Sequence, residues 1–474
     1  MAGRTNTRLR PPDVALLRTT PPSEPDPEGT PSASGFAVGT NLAFTSILCI
    51  ALLAPASLCA QTAPDLAKIL ERLDRLEAEN RALSEQVRAL QAQLGTAAPP
   101  PPTTEERLDI QERRTEEQAQ TKVEASQKFP IRLTGMALFN AFANSKQSGG
   151  IDYPEIAAAT GAGHSGATFR QTIVGLAFDG PHTVWGGKVS GSAYMDFYAG
   201  GTTLELHMRT ASLGIAWRDR RVEAGLEKPI FSPRDPSSLA QVWTPPLAGA
   251  GNLGAWLPQV RFEQELHLDP STGVLLQVGA VQTREIGPYV GTVTAEAARP
   301  AAEGRLNFYH KLDDQRRMEV AAGFHASTTH AGGYSIPSDL FAMDWFFNPW
   351  KPVEFSGAFY TGENVAHLGS GTKQGFAVYK HSADAVESRG GWGQLTLHAL
   401  PRLDFHLFTG QVDDANEDLA VGGIGKNLLF GGNAYFRLAP NVLVGIEATQ
   451  VRTMYVGQRV RINNHYDLAL AYLF

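Results

Sequence analysis

The chain has 474 residues, a formal net charge of −7 and a mean hydropathy of −0.18. It is too polar for a bundle of membrane-spanning helices, and its charge excess is too small to suggest a nucleic-acid partner, so any electrostatic argument has to be local. Residues 1–40 are rich in proline and polar residues and read as disordered. They fit either a long leader or a start site further downstream. The one sustained apolar run, LAFTSILCIALLAPASLCA, follows at about residues 42–60 and is interrupted by Pro55. It is short for a spanning helix and ends in small residues, as a secretory signal does, with Ala60–Gln61 as the expected cleavage site. Both cysteines, Cys49 and Cys59, lie inside it, so the exported protein is expected to carry no disulfide.

Directly after the signal, Leu66, Ile69, Leu73, Leu76, Asn80, Leu83, Val87, Leu90 and Leu94 alternate at spacings of three and four. This heptad seam predicts a coiled coil, with Asn80 at an a position fixing register at some cost in stability. Gly95 and the run AAPPPPTT then predict a stiff, extended linker, followed by a charged spacer. The expected organisation is leader and signal over 1–60, coiled coil over 61–95, linker over 96–127 and a large domain over 128–474.

From about Phe129 the period changes from helical to two. In VRFEQELHL, Val260, Phe262, Leu266 and Leu268 share one face, and Arg261, Glu263, Glu265 and His267 share the other. LELHMRT and RLDFHLF divide in the same way. Sixteen such segments are predicted, near 130–142, 167–178, 184–198, 204–217, 220–228, 257–268, 273–283, 302–312, 315–328, 338–348, 352–361, 388–400, 402–412, 427–438, 441–453 and 459–474. Tight turns such as Asp269-Pro270-Ser271 and Asp313-Asp314 alternate with long polar connections. One face is aliphatic or aromatic, the other densely charged, and no fixed repeat points to propeller blades. The expectation is an all-β fold, an antiparallel transmembrane β-barrel of about sixteen strands preceded by the coiled coil.

The chain ends in YDLALAYLF. Its alternating Tyr466, Leu468, Leu470, Tyr472 and Phe474 resemble the C-terminal assembly signal of bacterial outer-membrane porins. The whole plan of signal, coiled coil, proline linker and barrel resembles the DcaP-like porins and, more loosely, the phosphate-selective porins O and P. That resemblance implies a homotrimer in the outer membrane with its coiled coils in the periplasm. It also implies contact with outer-membrane lipid and recognition of the terminal strand by the barrel-assembly machinery.

A porin selects by pore width and lumen charge. The connection at residues 230–256, rich in Pro and Gly, corresponds to the loop that narrows such channels. Around it, Arg209, Arg221 and Arg261 have inward parity, with Lys228 and Arg234 nearby. These five are the pore-lining candidates, and two readings stand. They form a basic ladder favouring anionic solutes, or they pair with Glu205, Glu223, Glu227, Glu263 and Glu265 and line an unselective pore. Trp345, Phe346, Phe347 and Trp350 suit an aromatic girdle at the membrane interface. No metal-ligand spacing, nucleophile elbow or phosphate loop stands out, so no enzyme activity, metal or cofactor is expected. The functional expectation is a passive channel for small hydrophilic solutes. The alternative is a structural protein tethering the membrane through its coiled coil.

Overall fold

The computed structural model describes residues 131–474 apart from 199–204, together with Arg75, Ala78, Glu79, Arg81, Ala82, Ser84, Glu85 and Gln86. Those eight earlier residues are helical and exposed, with Arg75 Nε 3.5 Å from Glu79 Oε1 one turn on. All nine seam positions of the expected coiled coil, the signal and the linker lie outside the described residues.

The large domain is built from strands β1 (Ile131–Asn144), β2 (Ile173–His182), β3 (Lys188–Asp196), β4 (His207–Ala216), β5 (Arg220–Glu227), β6 (Leu257–His267), β7 (Thr272–Val281) and β8 (Ala301–Lys311). It continues through β9 (Arg317–Ala331), β10 (Tyr334–Trp350), β11 (Val353–Glu363), β12 (Glu387–Leu400), β13 (Leu403–Asp414), β14 (Ile424–Ala439), β15 (Val442–Tyr455) and β16 (Arg461–Leu473). Each strand pairs antiparallel with the next. The ring closes where β1 meets β16, with Leu138 opposite Ala471 and Ala141 opposite Leu468. Two short segments, His164–Thr168 and Ala295–Ala297, pair onto β1 and β9. Closure leaves no unpaired sheet edge, which is what a hydrocarbon environment demands.

Alternation of burial along the strands gives the two faces. On β16, Tyr466, Leu468, Leu470, Tyr472 and Phe474 are between 41% and 57% exposed, while Asn463, His465, Asp467, Ala469 and Ala471 are buried. The same split puts Val260 and Phe262 of β6, Leu306 and Phe308 of β8, Phe341 and Met343 of β10 and Phe405 and Leu407 of β13 on the outside. This continuous apolar outer surface, wrapped round a polar interior, is the arrangement of a membrane-spanning barrel.

On one rim the turns are short. Asp269 accepts from the Ser271 hydroxyl at 2.7 Å and from the Ser271 and Thr272 amides at 2.7 and 2.8 Å, which draws its carboxyl down to about 2. On the other rim lie the long connections: L1 (residues 145–172), L3 (228–256), L4 (282–300) and L6 (364–386). One expected long connection is absent there. β9 and β10 run on to a two-residue turn, Gly332-Gly333, with φ of 58° and 85°. Both positive φ values are those of a type I′ hairpin turn, which glycine adopts without steric cost.

Candidate functional site

L3 folds back into the barrel and is held to nearly every wall it passes. Its Ile230 amide donates to Glu303 Oε2 on β8 at 2.7 Å. Ser237 N donates to Gln394 Oε1 on β12 at 2.6 Å, and Ser238 Oγ to Glu447 Oε2 on β15 at 2.8 Å. Asn140 on β1 donates to the Leu239 carbonyl at 2.9 Å, and Gln171 of L1 to the Ala240 carbonyl at 2.8 Å. Trp243 then stacks on Tyr198 beyond β3, with ring centroids 4.5 Å apart and planes at 12°. The returning limb lies against β14, where Asn427 donates to Gly249 O at 2.7 Å. A segment poor in charge and rich in Gly, Ala and Pro suits this course, because its backbone carbonyls and amides meet wall side chains in place of water.

The belt is pinned most strongly by Arg234. Its guanidinium pairs with Glu319 on β9 and Asp344 on β10. Asp344 is also gripped by Arg305 of β8, Nε and Nη2 lying 2.7 and 2.8 Å from its two oxygens. Such bidentate pairs are shape-specific as well as strong. Arg317 pairs with Glu319 in turn, and the Phe346 ring lies beneath both Arg317 and Arg234, at 4.7 and 5.6 Å. Phe346 therefore belongs to the lumen, a correction to the expected girdle. Strand parity turns it inward, while neighbouring Trp345 packs outward over Gly357 and Trp350 is exposed.

The other four basic candidates gather on β4–β6 and the start of L3. Arg209 occupies the extra position of a β-bulge opposite Tyr194 and Met195, which re-aims its side chain. It lies 2.9 Å from buried Asp196, caps the Val242 carbonyl of L3 and sits 4.5 Å over the Trp256 ring. Arg221 and Arg261 converge on Glu223, a side chain 3% exposed, with Arg261 Nη2 at 2.5 Å. Arg261 also reaches Glu263 at 3.4 Å, and Lys228 pairs with Asp235. All five predicted cations thus face the interior, and each meets at least one carboxylate. Among the acids weighed as partners, Glu223 takes Arg221 and Arg261, and Glu263 takes Arg261.

The wall residues Asp196, Arg305, Glu319 and Asp344 were not singled out by sequence reasoning. The contacts that tie them to L3 and to one another are mostly distant in sequence: Asp344 meets Arg305 from 39 positions away and Arg234 from 110, and Glu319 meets Arg234 from 85. Accessible lumen is concentrated on β2–β6. There the inward positions include Ala177, Ser190, Ser192, Ser212 and Gly214 beside the half-buried Arg209, Arg221 and Glu227. Inward positions of β8–β10 and β15–β16 are buried almost without interruption. Among the described residues, no group of three or more His, Cys, Asp or Glu side chains is placed to hold a metal ion.

A closed sixteen-strand antiparallel barrel with an apolar outside, a charged inside and a loop drawn into its lumen is the fold of outer-membrane porin channels. Within that class the fold is DcaP-like. The barrel is similar to the outer membrane channel DcaP of Acinetobacter baumannii, with a TM-score of 0.60 and 18% identity over 73% of this chain and 97% of that one. An anion-selective porin from Comamonas acidovorans is matched with a TM-score of 0.49 and 10% identity, over 73% of this chain and 99% of that one. No protein-family model matches the sequence, and no curated protein matches it significantly.

Proposed function

We propose that the protein is a passive outer-membrane diffusion channel for small hydrophilic solutes. The observation that carries this reading is the asymmetric lumen. L3 seals the β8–β16 side, while small, hydroxylic and charged side chains stay accessible on the β2–β6 side. A polar, hydrated path beside a rigid constriction passes solutes by size and charge.

The anion preference expected of a basic ladder loses support from the pairing of all five cations. On β5 and β6, Arg221 and Arg261 stand among Glu223, Glu227, Glu263 and Glu265, so that wall carries more acid than base. We therefore propose weak charge selectivity. The predicted coiled coil supports a trimer with a periplasmic stalk. Small outward residues on β1, β3 and β4, including Ala137, Ala141, Gly191, Ala193 and Ala211, favour close approach of neighbouring barrels on this side. The terminal Tyr466–Phe474 stripe is proposed as the segment that the barrel-assembly machinery reads.

Reconstitution into planar bilayers tests the reading. Stepwise conductance, with a reversal potential near zero in a salt gradient, is the expected result. Absence of conductance from correctly folded barrels overturns the channel, and a strongly anion-selective reversal potential overturns the balanced lumen.

A further inference from the structure

Outside the constriction, four titratable side chains meet in a buried pocket between β8–β10 and three loops. Glu303 of β8 and His325 of β9 are fully buried, with His325 Nδ1 2.9 Å from Glu303 Oε1. The other His325 nitrogen lies 2.9 Å from Ser327 Oγ. His367 of L6 and Glu285 of L4 are 1% and 2% exposed, His367 Nδ1 lying 3.5 Å from Glu285 Oε2. The two imidazole rings stand 5.7 Å apart.

The remaining walls offer no further charge to His367. β10 presents Ser338 Oγ, 3.4 Å from His367 Nε2, and β11 presents Tyr360, whose hydroxyl is turned to Ser388 at 3.4 Å. L3 presents apolar Phe231, and Asn364 of L6 donates to Thr329 Oγ1 at 2.9 Å. Glu285 receives Thr329 Oγ1 at 2.6 Å on one oxygen, while its other oxygen is buried without a hydrogen-bond partner.

His367 lies in the short 3-10 turn Ala366–Leu368, and that turn holds L3 in place. The Leu368 carbonyl accepts the Ala255 amide at 3.1 Å, and the Gly371 amide donates to the Ala248 carbonyl at 2.8 Å. Leu368 is wholly buried in one apolar cluster with Phe231, Leu253 and Leu257. The turn therefore clamps the returning limb of the constriction loop, with one imidazole at its centre.

We propose that the His367–Glu285–His325–Glu303 cluster is an acid-sensitive latch, which keeps L6 docked on L3 at neutral pH and releases it when His367 takes up a proton. The reason is electrostatic. The pocket is closed to solvent, a second imidazole faces His367 and Glu285 is the one carboxylate paired with it, so an imidazolium is far better accommodated in water. Burial pushes the His367 imidazole down to about 4, helped by His325 and opposed by Glu285. The released loop has the ordinary histidine value near 6.5. Between the two values the undocked loop binds the extra proton, so docking is complete above the upper one. It weakens about tenfold per pH unit as pH falls towards the lower one.

Hydrogen–deuterium exchange of the refolded full-length chain, corrected for the intrinsic pH dependence of exchange, reads the latch without requiring conductance. From pH 7.5 to 4.5, protection over residues 364–372 should fall by at least tenfold, while β9 and β10 keep theirs. His367→Gln, which keeps a polar group but cannot charge, should hold protection at pH 4.5. His325→Gln, which removes the facing imidazole, should blunt the loss and serves if the first variant fails to dock. No loss in the wild type, or an equal loss in His367→Gln, overturns the proposal. A parallel conductance measurement at the two pH values separates failure of the latch from failure of the channel reading.

Discussion

The terminal Phe474 ring lies over the bare backbone of Gly135. Gly135 N donates to Phe474 O at 2.9 Å, and Phe474 N returns to Gly135 O at 3.1 Å. A Cβ at Gly135 would stand 2.8 Å from the Phe474 ring and 2.3 Å from the Ile173 carbonyl. The last residue thus closes the barrel by pairing with β1 and by using the space that Gly135 leaves. Gly135→Val should therefore cost about 1–3 kcal/mol through overpacking at the seam. Reduced heat-modifiable mobility on gels would show it, and unchanged barrel stability would count against this role. Phe474→Ala should leave that stability nearly intact but lower the yield of assembled protein in cells.

Arg234 decides how firmly L3 is held. Arg234→Ala removes two charge-assisted contacts, but Asp344 keeps Arg305 and Glu319 keeps Arg317. The expected loss is about 1.5–3 kcal/mol of loop anchoring rather than global unfolding. Single-channel records should show larger mean conductance and faster current noise. A wild-type trace would mean that the backbone contacts of the belt suffice alone.

L1 should respond to pH in the opposite sense to L6. Glu155 of L1 is half-buried against L3 and β14, accepts from Gln241, and has its carboxyl pushed up to about 7 by desolvation, opposed by hydrogen bonds from L3 and by Lys373. The docked loop holds its proton at a pH where a free loop has lost it. Docking is thus strongest below about 4.5 and weakens as pH rises through about 7. Exchange protection over residues 147–158 should be higher at pH 5 than at pH 8, and Glu155→Gln should level the two. A pH difference surviving in the variant would assign the effect elsewhere.

The lumen's balance of charge can be tipped at Glu223. Glu223→Gln leaves Arg221 without its carboxylate and Arg261 with Glu263 alone. The reversal potential should move towards anions, more at low salt than at high salt because the field is screened. A shift towards cations would show that these arginines do not face the conducting path.

Much of the architecture was already legible in the chain. Period-two alternation is a local property, and it yielded sixteen segments that correspond one to one with the barrel strands. The parity of Arg209, Arg221 and Arg261 and the outward stripe from Tyr466 to Phe474 also came from it. The β9–β10 turn was missed because the polar parity of THAGGYSIP resembles a loop, although Gly332-Gly333 is itself a hairpin signal. Phe346 was misplaced because composition alone grouped it with its aromatic neighbours.

By itself, then, the sequence determined the repeating pattern that makes a barrel, the face of each side chain and the terminal stripe, since each depends on neighbours within a few residues. Only the tertiary structure decided which charges cancel and where the lumen stays accessible. It also decided that a turn of L6, with His367 at its centre, clamps the constriction loop. Those facts depend on groups brought together from distant strands, whose energies follow from distance and burial rather than from order along the chain.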